Sequence, residues 1–209
     1  MRLAVARPGS VVVTLESNPV HAVVARCIVG YAGLSGVIDV RVGHSEDVLP
    51  HLAAAVEEDG GVFDLVFFDQ RGSRYAADLA ALRRGGLLAD RAVVVADNVL
   101  KPGAPEFLWE VLRSGCFHTQ VVSVSEYAMP GVEDWMSLSV HLKQDERGAP
   151  PLPRSLRRME WEADQIRSRA ERFPGVSFEE WASFAARMRE ALAVFGIGPS
   201  AERTTSSRS

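Results

Sequence analysis

Cysteine is scarce in these 209 residues: Cys27 and Cys116 are the only two, and no CxxC pair exists. That excludes a disulfide framework, and since both lie among apolar neighbours they read as two buried thiols in a reduced, cytoplasmic setting. A basic excess is also missing. Lysine and arginine number 23 against 27 acidic residues, a formal charge of −4, which argues against a general nucleic-acid surface. No apolar run approaches the roughly 18 residues of a membrane helix. The opening MRLAVARPGS lacks the long apolar core of a secretory leader. No internal repeat is visible. Hydrophobic residues are plentiful, at 47%, enough for one ordinary domain with additions.

These residues follow two periods. VVVTLE (11–16) reads as a buried strand, and Val23, Val24, Cys27, Ile28 and Tyr31 recur at helical spacing within 19–33. VIDVRVG (37–43) alternates as a strand, and 46–57 reads as a helix with Ser45 at its N-cap. FDLVFFD (63–69) is a buried strand, 74–84 a helix, AVVVAD (92–97) a strand, and 105–114 a helix with Pro105 near its first turn. HTQVVSVS (118–125) and WMSLSVHL (135–142) close the run as two strands. Such β–α alternation predicts a parallel sheet covered on both faces, with ligands beyond the C-terminal strand ends.

The pattern then changes. Residues 144–155 form a proline-rich linker, and 154–173 a highly charged helix of the kind that stands solvated. Residues 178–195 form a further helix, opened by a Ser177–Glu180 capping box with Val176 and Trp181 placed as a hydrophobic staple. Its stripe of Trp181, Phe184, Ala185, Met188, Leu192 and Phe195 must bury against its own domain, the favoured reading, or against a protein partner at 177–195. The organisation expected is a domain over 1–143, a linker over 144–155, a helical extension over 156–198 and a disordered tail over 199–209.

Three strands end in an acid: Glu16, Asp69 and Asp97. In a parallel sheet those ends share one edge. Glu16 suits the ribose hydroxyls of a nucleotide cofactor, or equally a turn or helix cap before Asn18–Pro19. Asp69, Asp97 and Asn98 offer two carboxylates and an amide oxygen, the hard donors that Mg²⁺ prefers. For Asp97–Asn98 taken alone an Asx-turn is the simpler account. His21, His51 and His118 fall at helical or strand positions and read as structural or exposed.

From about residue 3 to 143 the chain resembles the catechol O-methyltransferase family. The segments that carry the likeness are TLESNP (14–19), VGHSEDVLP (42–50), FDLVFFDQRGSRY (63–75), GGLL (85–88), VVADNVLKPGAPEFL (94–108) and SEY (125–127), in the family's order and spacing. The resemblance implies a Rossmann-like α/β methyltransferase sheet and methyl transfer from S-adenosylmethionine to one hydroxyl of a catechol-like diol held on Mg²⁺. It also implies roles for particular residues. Asp69, Asp97 and Asn98 become the metal ligands, and Glu126 binds the second hydroxyl. Glu16 holds the cofactor ribose, with Ser45 and Gln70 by the adenine and Asp69 at the cofactor edge.

Two departures stand beside these matches. Three residues after Asp69, where the family has a general-base lysine, this sequence has Gly72, flanked by Arg71 and Arg74. A guanidinium stabilises a catecholate electrostatically but does not serve as a base. The family's opening helices, central strand and glycine-containing cofactor loop also have no counterpart here, so the expected domain is N-terminally incomplete. A strand missing between 11–16 and 63–69 predicts two long apolar edges or an unnatural pairing. The rival to an enzyme is a catalytically inactive methyltransferase-like protein that recruits partners through its C-terminal helices.

Overall fold

A computed structural model describes residues 9–59, 61–125, 129–142 and 148–200. The elements, in chain order, are β1 (Val12–Glu16), α1 (Pro19–Tyr31), β2 (Ile38–Val42), α2 (Ser45–Asp59), β3 (Phe63–Phe68), α3 (Gly72–Arg84) and β4 (Leu88–Ala96). A short helical turn, Val99–Gly103, precedes α4 (Pro105–Arg113), β5 (Phe117–Ser125), β6 (Glu133–His141), α5 (Arg154–Ala170) and α6 (Phe178–Ala193). Most expected elements are present with ends moved by a few residues; Ser45 begins α2 instead of preceding it.

The chain divides into two compact units. The first holds residues 1–61 with 81–87, the second 62–80 with 88–209. In the first, β1 and β2 pair in parallel, Val12 opposite Ile38. The guanidinium of Arg26 on α1 donates to the Val40 carbonyl at 2.6 Å. Ala22, Val40, Val48, Leu49 and Leu52 are buried there. Cys27 is exposed, which corrects the expectation of two buried thiols: the apolar face of α1 to which it belongs is itself exposed at Val20, Val23, Val24, Ile28 and Tyr31.

In the second unit the sheet order is β3-β4-β6-β5. Only β3 and β4 run parallel; β6 is antiparallel to both of its neighbours. The sheet is parallel where strands alternate with helices and mixed where the final strand pair joins it, because the last two strands follow one another without the helical crossover that a parallel pair requires. β1 and β3 each have one strand partner among the described residues, so both are edge strands, and Leu65 and Phe67 on β3 are exposed.

The core of the second unit gathers Phe68, Tyr75 and Phe107, whose rings stack or meet edge to face at 5.2–5.8 Å. The charged helix α5 does not stand solvated. Leu156, Met159, Ala163 and Ile166, spaced along one face, are buried. On α6, Phe184, Ala185, Met188 and Leu192 are buried within the same unit, so its apolar stripe packs inward. Its capping box is formed: Ser177 Oγ accepts from the Glu180 amide at 3.2 Å, and Glu180 accepts from the Ser177 amide at 2.8 Å. The tail beyond residue 200 lies outside the described residues.

Candidate functional site

β3 and β4 lie side by side in register, Phe68 opposite Ala96, so the residues that follow them meet at one corner of the second unit. These are Asp69 and Asp97, and the Asp97 amide donates to the Phe68 carbonyl at 2.9 Å. Burial and the negative charge of Asp97 together raise the Asp69 pKa, while the Arg167 guanidinium pulls it back down. Negative charge gathered at one corner forms a place where a cation is stabilised.

Asn98 completes the corner in a left-handed conformation, φ 53° and ψ 35°, which asparagine tolerates better than most side chains. Its backbone amide donates to Asp97 Oδ1 at 2.8 Å, a bond between adjacent residues and not the two-residue reach of an Asx-turn. Its side-chain Nδ2 donates to Asp134 Oδ2 at 2.8 Å. Only the amide's NH₂ end can donate to a carboxylate, so Asp134 fixes which end is which and turns the Asn98 oxygen the other way.

Asp134 was not anticipated from sequence. It is fully buried on β6, and Oδ1 accepts from the Lys101 amide at 2.9 Å and the Trp135 amide at 2.7 Å. Burial pushes its carboxyl up to about 6 against those donors and Asn98. One acid thus ties the 98–101 turn to the neighbouring strand. The alternation of β6 gave no signal for it, because Asp134 falls out of step with the inward set Trp135, Ser137 and Ser139.

The loop after β3 is equally restrained. Gln70 Nε2 donates to the buried Asp78 at 2.8 Å, and the Gln70 carbonyl accepts from Tyr75 Oη at 3.2 Å and Arg167 Nη1 at 3.0 Å. Tyr75 Oη lies equally 3.2 Å from the Asp97 carbonyl, so its one proton is shared between the two acid-bearing strand ends. Helix α5 adds two contacts: Ser73 Oγ with Asp164 at 2.7 Å and Arg71 Nη2 with Ser168 at 3.3 Å. Gly72 is buried, and a Cβ there would run into the Gly103 carbonyl oxygen. No side chain fits at that position without moving the backbone of the 99–103 turn. Over that turn, Lys101 is buried with its ammonium 5.5 Å from the Trp181 ring centre.

Of the anticipated site residues, Asp69, Gln70, Asp97 and Asn98 meet in this corner. Glu126 lies outside the described residues. Glu16 and Ser45 belong to the first unit. There Glu16 ends β1, its Oε1 accepting from the Asn18 amide at 2.7 Å and its Oε2 standing 3.9 Å from His21. Ser45 is half-buried at the start of α2. No cluster of three His, Cys, Asp or Glu side chains suited to a metal occurs among the described residues. The corner offers two carboxylates and one oriented amide oxygen, a set that fits a hard divalent ion retaining waters. No helix among the described residues is long and apolar enough to cross a membrane.

A Rossmann-like sheet with oxygen donors at two adjacent strand ends defines the class: the fold is that of the O-methyltransferases. A cofactor-bound protein from MTB has this fold, 30% identical, with a TM-score of 0.56 and alignment over 65% of this chain and 63% of that one. No protein-family model matches the chain. Catechol O-methyltransferase of Sus scrofa is 39% identical over 122 residues, 58% of this chain and 64% of its own length. That of Bos taurus is 40% identical over 101 residues, 48% of this chain and 36% of its own length. The chain is a sequence relative of the catechol O-methyltransferase family, and it spans less than two thirds of the curated relatives it matches.

Proposed function

We propose that this protein transfers a methyl group from S-adenosylmethionine to one hydroxyl of a catechol-like diol held on Mg²⁺. The observation that carries this reading is the convergence of Asp69, Asp97 and Asn98 at the ends of two adjacent strands, with the Asn98 amide oriented by buried Asp134. When bound, the metal lowers the acceptor hydroxyl's pKa and the cofactor supplies the methyl group.

The chain's own residues do the positioning. Asp69, Asp97 and the Asn98 oxygen fix where the diol's two oxygens sit, and Tyr75 and Asp134 hold the loops that carry them. Glu16 is the group proposed for the cofactor ribose, with Ser45 and Gln70 toward the adenine and Glu126 toward the second hydroxyl. Position 72 holds no base, so the hydroxyl proton leaves to solvent. The methyl group would pass to the diol oxygen and leave a neutral thioether on the cofactor. Holding the two reactants in line is the main source of rate.

Calorimetric titration of the protein with S-adenosylmethionine, with and without Mg²⁺ and a simple catechol, tests the reading, followed by a methyl-transfer assay. Saturable cofactor binding is expected, strengthened by the metal–catechol pair. Asp97→Ala is expected to lose transfer by about 10²–10³-fold, the scale of removing one electrostatic stabiliser. A folded wild-type protein that binds neither cofactor nor catechol would overturn it.

A further inference from the structure

We propose that Arg167, on the C-terminal helix α5, is the cation that stabilises the ionised acceptor oxygen at the Asp69–Asp97–Asn98 corner. The inference rests on the methyl-transfer reading above and adds to it a residue from outside the region of family resemblance.

Three observations carry it. First, the position of the family's lysine is closed: Gly72 is packed against the Gly103 carbonyl, so no flexible amine reaches the acceptor from there. Second, the two arginines that flank position 72 are engaged elsewhere. Arg71 Nε lies 3.5 Å from Asp164, and Arg74 lies 3.7 Å from the buried Asp78. Third, Arg167 reaches the loop that carries Asp69. Its Nη1 donates to the Gln70 carbonyl at 3.0 Å, the same oxygen that accepts from Tyr75 Oη, which in turn reaches the Asp97 carbonyl.

The chemistry follows from the charge balance. The charged and titratable groups gathered by this loop are Asp69 and Arg71 on either side of Gln70, Tyr75 on α3, whose hydroxyl meets the Gln70 carbonyl, Asp97 at the end of β4, and Asp164 on α5, which pairs with Arg71. Negative groups there oppose the ionisation of an acceptor hydroxyl. A guanidinium keeps its proton at every working pH, so Arg167 offsets that opposition without taking the acceptor's proton. An opposite charge at close range lowers an acid's pKa by about one to three units.

The test uses 4-nitrocatechol, whose ionisation is visible in its absorption spectrum. Wild type, Arg167→Gln and Arg167→Lys are titrated with it across pH, with and without Mg²⁺, after circular dichroism has shown each to be folded. The bound probe is expected to ionise at about one pH unit higher in Arg167→Gln than in wild type, a tenfold weaker acid, with Arg167→Lys restoring most of the shift. A purely structural role in holding the Gln70 loop would change affinity without moving the ionisation. Identical ionisation in wild type and Arg167→Gln overturns the assignment and leaves the methyl-transfer reading standing. Failure of folded wild type to bind the probe overturns both.

Discussion

The two compact units treat the same kind of side chain differently. In the first, α1 leaves Val20, Val23, Val24 and Ile28 more than half exposed, and Tyr31 is 98% exposed. In the second, Trp135, Phe107, Leu108, Phe184, Met188 and Leu192 are almost wholly enclosed. Apolar periodicity is present in both. What differs is the facing element: β6 lies between β4 and β5 and under the 99–103 turn and α6, whereas β1 has one strand partner among the described residues. Periodicity reports which side chains would gain from burial; the gain, at about 25 cal/mol per Å², is realised only where something covers them.

The largest effect that sharpens this contrast belongs to Trp135. It is fully buried, its indole donates to Glu133 at 2.8 Å, and its backbone amide is one of the donors to Asp134. Trp135→Ala is expected to destabilise the second unit by about 3–5 kcal/mol, the usual cost of emptying a large aromatic site. Denaturant unfolding measures the loss. Hydrogen exchange localises it, with protection falling in β4, β5 and β6 and unchanged in β1 and β2. A loss below about 1 kcal/mol would mean the second unit is no better packed than the first.

The same contrast explains what was legible in the sequence. The order of elements along the chain, the acids at strand ends and the Ser177–Glu180 box follow from local rules, and they are present. So is the corner, because adjacent parallel strands bring Asp69 and Asp97 together once both strands are recognised. Asp134 and Arg167 were not legible: each reaches the corner from a distant element, and nothing in the local pattern says that a β6 carboxylate orients Asn98. Gly72 read as a missing lysine, while its structural reason, the approach of the Gly103 carbonyl, is a tertiary fact. For α5, the high charge outweighed four widely spaced apolar residues that turned out to define its buried face. Cys27 failed in the opposite sense, since an apolar neighbourhood in sequence did not become a covered one.

A smaller effect should separate the units by pH. Every carboxyl among the described residues with a resolved rise in pKa belongs to the second unit: Asp69, Asp134 and Glu160. Glu160 accepts from the Glu106 amide at 2.8 Å, and its other oxygen is buried without a hydrogen-bond partner. Burial, joined by the charges of Glu106 and Asp164, pushes it up to about 7. A carboxyl raised on folding contributes stability below its unfolded pKa, and that contribution is lost as pH rises through the folded value. Glu160→Gln should therefore match wild type within experimental error near pH 4 and exceed it at pH 8, by on the order of 1–3 kcal/mol. A difference that stays constant across pH would show that Glu160 is already compensated when ionised.

The smallest expected effect is the most direct probe of the first unit. Ile28 is 60% exposed on α1, so Ile28→Ala removes little that folding had taken from water. Alanine's higher helix propensity offsets part of what is removed. The change in unfolding free energy should stay within about 0.5 kcal/mol, as for other surface substitutions. A loss of 1 kcal/mol or more would place a covering element over the α1 face in solution. Protein concentration then decides its origin, because a cover supplied by a second molecule weakens on dilution, and one supplied by the chain itself does not.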